Sequence, residues 1–89
     1  MKQFKADKLL DLFNELAEKM GIHIVKGKGD FQGGSCSVND ESYIVINQMK
    51  PIDQRLRILG NEFSKLNLKN IFIPPALRAY IEDSQQDIF

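Results

Sequence analysis

The chain holds one cysteine, Cys36, and one histidine, His23, so the first chemistry to weigh is a thiol nucleophile activated by an imidazole base. That chemistry requires the base to lie within a hydrogen bond, or one water, of the nucleophile. If residues 27–33 form a hairpin loop and the flanking strands pair simply, Cys36 stands opposite Ile24 and His23 opposite Ser37. The two side chains then leave the sheet on opposite faces, which weakens the dyad, although a one-residue slip or a bulge reverses the geometry. The plainer reading of a lone strand cysteine beside Val38 is a small buried hydrophobe.

Metal chemistry has less to work with. One histidine and one cysteine cannot make the usual structural zinc sets within a single chain. Glu82, Asp83 and Asp87 form the nearest carboxylate cluster, and a solvated helix face explains them more simply than a cation site. No metal and no cofactor is therefore expected. The run at residues 26–34 contains four glycines, Gly27, Gly29, Gly33 and Gly34. Such a run cradles phosphate on its N–H groups where it leads from a strand into a helix N-terminus. Here it leads into another strand, so a flexible hairpin loop is the expectation, with the four glycines kept only as weak binding candidates.

The elements that must position these groups are legible from spacing. At residues 7–20, Leu9, Leu10, Phe13, Leu16, Ala17 and Met20 recur at steps of three and four, the stripe of an amphipathic helix. Gly21 is placed to stop it in the left-handed conformation, and Phe4 is expected to fold back onto it. A short strand follows at 22–25. Strands at 35–38 and 43–47 flank Asn39-Asp40, a pair suited to a tight antiparallel reversal. Tyr43-Ile44-Val45-Ile46 is apolar on both faces and should run through the middle of the sheet. Pro51 suits the first turn of a helix over 51–66, in which Ile52, Leu56, Leu59, Phe63 and Leu66 face the core. Gly60, mid-helix, costs about 1 kcal/mol relative to alanine, a cost that close approach by a neighbour would explain. Residues 71–73 are expected as a last short strand, able to cross over and lie parallel to the Tyr43 strand. Pro75 opens a final helix over 76–84, and Gln85 to the end looks frayed, with Ile88 and Phe89 apolar enough to dock.

One central stretch carries a resemblance. Gly33-Gly34-Ser35-Cys36-Ser37-Val38, a turn, Tyr43-Ile44-Val45-Ile46-Asn47, and Arg57-Ile58-Leu59-Gly60-Asn61-Glu62-Phe63-Ser64-Lys65 together resemble the minimal core of zincin-like metallopeptidases of the ImmA/IrrE type. In those proteins a hairpin precedes a helix bearing H-E-x-x-H, whose histidines hold zinc one turn apart while the glutamate polarises water. Asn61 and Lys65 stand at the two histidine positions and only Glu62 remains, so the resemblance implies a peptidase scaffold without its metal. The alternative makes Glu62 a helical surface acid bonded to Lys65 or lying near Ile58 and Arg55, with Asn61 and Lys65 turned to solvent. The whole chain also resembles short bacterial proteins with a Gly-Gly-x-Cys strand and a Pro-Ala-x-Arg-like last helix, which implies no activity.

Composition bounds the remaining classes. Twelve basic residues balance twelve acidic ones, which removes the long-range attraction that nucleic acid or an anionic membrane supplies. Lys26 and Lys28 beside Phe31 make only a local version of a basic-aromatic patch. No apolar run reaches the roughly 20 residues of a membrane span, no signal-peptide segment opens the chain, and a single cysteine agrees with a reducing compartment. The expectation is a cytoplasmic protein of one domain, residues 1–89, with an α+β fold: a mostly antiparallel sheet of three or four strands packed by three helices. A chain this short buries a thin core, so a homo-oligomer, a dimer first, is expected. Its function is read as a non-catalytic interaction or binding module with a protein or small-molecule partner, and not nucleic acid or membrane. The alternative is a remnant hydrolase or thiol enzyme using Glu62, Cys36 or His23.

Overall fold

The computed structural model describes residues 6–31 and 33–86; Phe4, Asp87, Ile88 and Phe89, singled out above, lie outside them. Helix α1, Ala6–Met20, buries Phe13, Leu16 and Ala17 from the expected stripe. Asp7 in its first turn and Lys19 in its last complement the helix dipole. Gly21, at φ 71°, ends it in a conformation where a side chain would be strained.

Three strands follow: β1 (Ile22–Gly27), β2 (Gly33–Val38) and β3 (Glu41–Asn47). Strands β2 and β3 form the expected antiparallel hairpin, with Val38 opposite Glu41. Its two-residue turn has Asn39 at φ 51° and Asp40 at φ 70°, the two positive angles that a type I′ turn requires. The other pairing corrects the expectation. Strand β1 lies against β3 and runs parallel to it, giving the order β1-β3-β2 and a mixed sheet in place of a mostly antiparallel one. The reason lies in what each strand has to bury. In β3 both Ile44 and Ile46 are buried and Tyr43 and Val45 are half-covered, so it takes the central place, whereas the Gly-Gly-Ser-Cys-Ser run of β2 has little to hide and sits at an edge.

Helix α2, Ile52–Ser64, starts just after Pro51 and buries Leu56, Leu59, Gly60 and Phe63. It ends two residues short of the expected position, where the N–H of Lys65 donates to the Glu62 carbonyl and the N–H of Leu66 to the Phe63 carbonyl. Residues 71–73 form no strand. The parallel place beside β3 already belongs to β1, and Ile73 drops instead into the helical core while Phe72 stays exposed. Helix α3, Pro75–Gln86, opens at Pro75 as expected and runs past residue 84, burying Leu77 and Ile81.

All three helices lie on one face of the sheet. Helix α1 packs on β1, α2 on β3 and β2, and α3 on α2 and α1. The Phe13 ring meets Phe63 at 5.4 Å and Tyr80 edge-on at 6.0 Å, joining the three helices at the centre of the core. A Cβ on Gly60 would collide with Ser84 Oγ and lie 3.0 Å from Tyr80 Cε2. The mid-helix glycine is thus the close approach between α2 and α3.

Candidate functional site

The mixed sheet decides the fate of the thiol–imidazole pair. Cys36 pairs with Tyr43 across β2 and β3, and His23 pairs with Tyr43 across β1 and β3. Residues directly opposite each other share a face, so Cys36 and His23 lie on the same face, not on opposite ones. They stand two strand spacings apart, about 10 Å, with Tyr43 between them. The His23 ring stacks on Tyr43 at 4.8 Å, and its Nε2 lies 2.6 Å from Glu41 Oε1. Cys36 is out of reach of that imidazole. It is also exposed, not buried, because the helices cover the other face of the sheet.

A cleft of about 320 Å³ lies between α2 and the turn end of the sheet, reaching from β2 across β3 to Ile22 of β1. Glu62 lines it, while Cys36 borders it from β2 with its side chain on the opposite face of the sheet. Ser35, Ser37 and Ser42 line its sheet side, Glu62, Lys65 and Leu66 its helix side, and Ile22 and Ile44 its apolar floor. The Glu62 side chain is only 13% exposed, against 61% for Lys65, and their charged atoms stand 3.6 Å apart. Glu62 therefore turns inward toward the sheet and is not the fully solvated surface acid of the plainer reading, although its pairing with Lys65 is present. Lys65 is exposed and Asn61 half-buried, and the Asn61 carbonyl accepts a hydrogen bond from Ser64 Oγ at 2.7 Å.

Asn61 and Lys65, an amide and an ammonium, stand on either side of Glu62 along α2, and among the described residues no three His, Cys, Asp or Glu side chains converge. His23 lies on the opposite face of the sheet from the three serine hydroxyls, which share the cleft with the Glu62 carboxylate. What the cleft offers is a carboxylate, an ammonium, three hydroxyls and an apolar floor, which can make hydrogen bonds and salt bridges to another molecule.

The glycine run has a structural role that spacing alone did not reveal. After β1, residues 28–31 lead the chain away from that strand's edge of the sheet, and Asn47, 1% exposed, holds this segment. Its Nδ2 donates to the carbonyls of Gly29 at 2.8 Å and Phe31 at 2.6 Å, while its Oδ1 accepts the Met49 N–H at 2.9 Å. The run enters a strand and no helix N-terminus. At Gly33, φ is 115° and a Cβ would stand 2.6 Å from the Val45 carbonyl oxygen, so β3 itself fills the space a ligand would need. A Cβ on Gly27 would lie 3.0 Å from the Phe31 ring. The signal for Asn47 was present: a polar amide closing an apolar strand, with unpaired loop carbonyls to satisfy nearby.

The remaining surface of note is the sheet face away from the helices. It carries Val25, Tyr43, Val45, Cys36 and Val38, with Val25 40% and Val38 51% exposed. Comparison with models of protein families, with curated proteins and with solved structures finds no match to this chain. Among the described residues no helix is long and apolar enough to cross a membrane.

Proposed function

We propose that this chain is a non-catalytic, cytoplasmic interaction module that works as a homo-oligomer. The observation that carries this reading is the one-sided sheet: α1 and α2 pack on one face, with α3 packed on both helices, while among the described residues no helix or strand lies over Val25, Val38, Tyr43 and Val45 on the other. A strand face of this kind gains about 25 cal/mol for each Å² of apolar surface that a partner covers. A chain of 89 residues has little other apolar surface to spare for its own core. Sedimentation of the pure protein across a wide concentration range tests the proposal. A reversible dimer or larger assembly is expected, and a monomer throughout would overturn it.

A second reading makes the chain a divergent hydrolase or thiol enzyme. Its support is that Cys36 is exposed and that Glu62 is turned inward toward the sheet. Hydrolysis through Glu62 needs a polarising metal, so zinc titration followed by calorimetry separates the readings, and heat of stoichiometric binding would favour the enzyme. A thiol role predicts that Cys36 reacts with iodoacetamide at neutral pH much faster than a free thiol.

A further inference from the structure

We propose that a second copy of this chain docks on the free edge of β2, antiparallel to it, on a two-fold axis through Cys36. This rests on the self-association proposed above and assigns it to the sheet edge that borders the open face. The first argument is the character of the edge. Strand β2 reads Gly-Gly-Ser-Cys-Ser-Val, with no charge and no proline, and Ser35 to Val38 are all exposed. Natural sheets protect open edges with lysines, prolines or covering elements. The opposite edge, β1, carries Lys26 and His23, whereas β2 carries none of these.

The second argument is backbone phase. In a two-residue type I′ hairpin, Val38 and Glu41 exchange hydrogen bonds across the turn, and bonded pairs alternate along an antiparallel ladder. Cys36 and Tyr43 are therefore a bonded pair, and the N–H and C=O groups of Ser35 and Ser37 point to the free edge. An antiparallel copy centred on Cys36 places Ser35 opposite the partner's Ser37 and Ser37 opposite the partner's Ser35, so that each facing pair exchanges two bonds. The same register sets the exposed Val38 side chain against the partner's Gly34. Space beside Gly34 is open, with nothing within 4 Å of where its Cβ would stand.

The third argument is charge. The cleft puts Ser35, Cys36 and Ser37 level with Glu62, Lys65 and Leu66 of α2. An axis through Cys36 therefore brings Glu62 toward the partner's Lys65 and Lys65 toward the partner's Glu62. Leu66, 37% exposed, comes toward its own copy. Helix α2 packs over both β3 and β2, so its axis and that of its copy lie about 10 Å apart at a strand spacing near 4.8 Å, the distance at which helices pack. Opposite charges meet.

The experiment uses the only cysteine. Facing residues of a non-bonded antiparallel pair have Cα atoms about 4.5 Å apart, within the span of a disulfide. In the dimer, diamide should accept the two thiol hydrogens and leave a Cys36–Cys36 bond between copies, seen as a covalent dimer on a non-reducing gel. Cys36→Lys and Cys36→Glu, each at an exposed position, should weaken self-association by about tenfold or more, since like charges meet on the axis. Mixed in equal amounts, the two variants should form a heterodimer. Ser35→Pro, which removes an outward N–H while leaving the bonds to β3, should weaken it too. A wild-type dimer that neither cross-links nor responds to these variants overturns the edge pairing and leaves self-association through another surface standing. A monomer at every concentration overturns both.

Discussion

Replacing Gly60 by alanine sets two effects of similar size against each other. Alanine is favoured over glycine inside a helix by about 1 kcal/mol, so at an open position Gly60→Ala would stabilise α2. At this position the new methyl meets Ser84 Oγ and lies 3.0 Å from Tyr80 Cε2 and 3.2 Å from Ser84 Cβ. Overpacking of this kind costs about 1–3 kcal/mol. Moving Ser84 also disturbs the bond its Oγ donates to the Tyr80 carbonyl at 3.0 Å, worth about 1 kcal/mol. The clash wins, with a net loss of about 2 kcal/mol and a fall in Tm of roughly 8–16 °C for a domain of this size. Urea unfolding followed by circular dichroism measures the loss. In a Ser84→Ala background the loss should shrink by about 1 kcal/mol, a coupling that a double-mutant cycle reads directly. A Gly60→Ala protein more stable than the parent would refute the close-packing argument.

Asn47→Ala should cost about 2–3 kcal/mol in urea unfolding, because it strands the carbonyls of Gly29 and Phe31 that the amide now satisfies. Asn47→Asp should be no better, since a carboxylate cannot donate to either carbonyl. Phe63→Ala, which empties the ring contact with Phe13, should cost about 3–5 kcal/mol and lower the denaturant midpoint accordingly. Cys36 should be alkylated by iodoacetamide readily in dilute folded protein and progressively more slowly as concentration rises, a dependence that mass spectrometry follows. Zinc should leave the melting temperature of the parent unchanged, and a shift that grows with zinc concentration would instead expose a site built from other ligands.

Much of the local structure was legible because its signals act within a few residues. Gly21 ends α1, Pro51 and Pro75 precede or open the next helices, and Asn39-Asp40 turns the hairpin. Each of these residues restricts its own φ or supplies a conformation its neighbours cannot. The helical stripes were equally plain, and of the expected inward residues Leu56, Leu59 and Phe63 are buried. Residues 71–73 were misleading for the same local reason. Two isoleucines around a phenylalanine have strand character, but the place they would have filled beside β3 was taken, and burial of Ile73 against the helices won.

The candidate site was legible only in its parts. Cys36, His23 and Glu62 stand out in any reading as residues able to do chemistry. Whether they meet depends on strand order, and a simple hairpin across the glycine run would have set Cys36 and His23 on opposite faces. The sequence by itself determined where helices and turns begin, which strand is most apolar, and that Asn61 and Lys65, not histidines, stand on either side of Glu62. Only the tertiary structure decided that β1 pairs with β3 and not β2, that Tyr43 separates Cys36 from His23, that Asn47 holds the segment after β1, and that Gly60 lies against Ser84. The physical reason is that backbone torsions and helical spacing are set within one segment. Strand order and close contacts are set by which segments, far apart in the chain, bury the most apolar surface together.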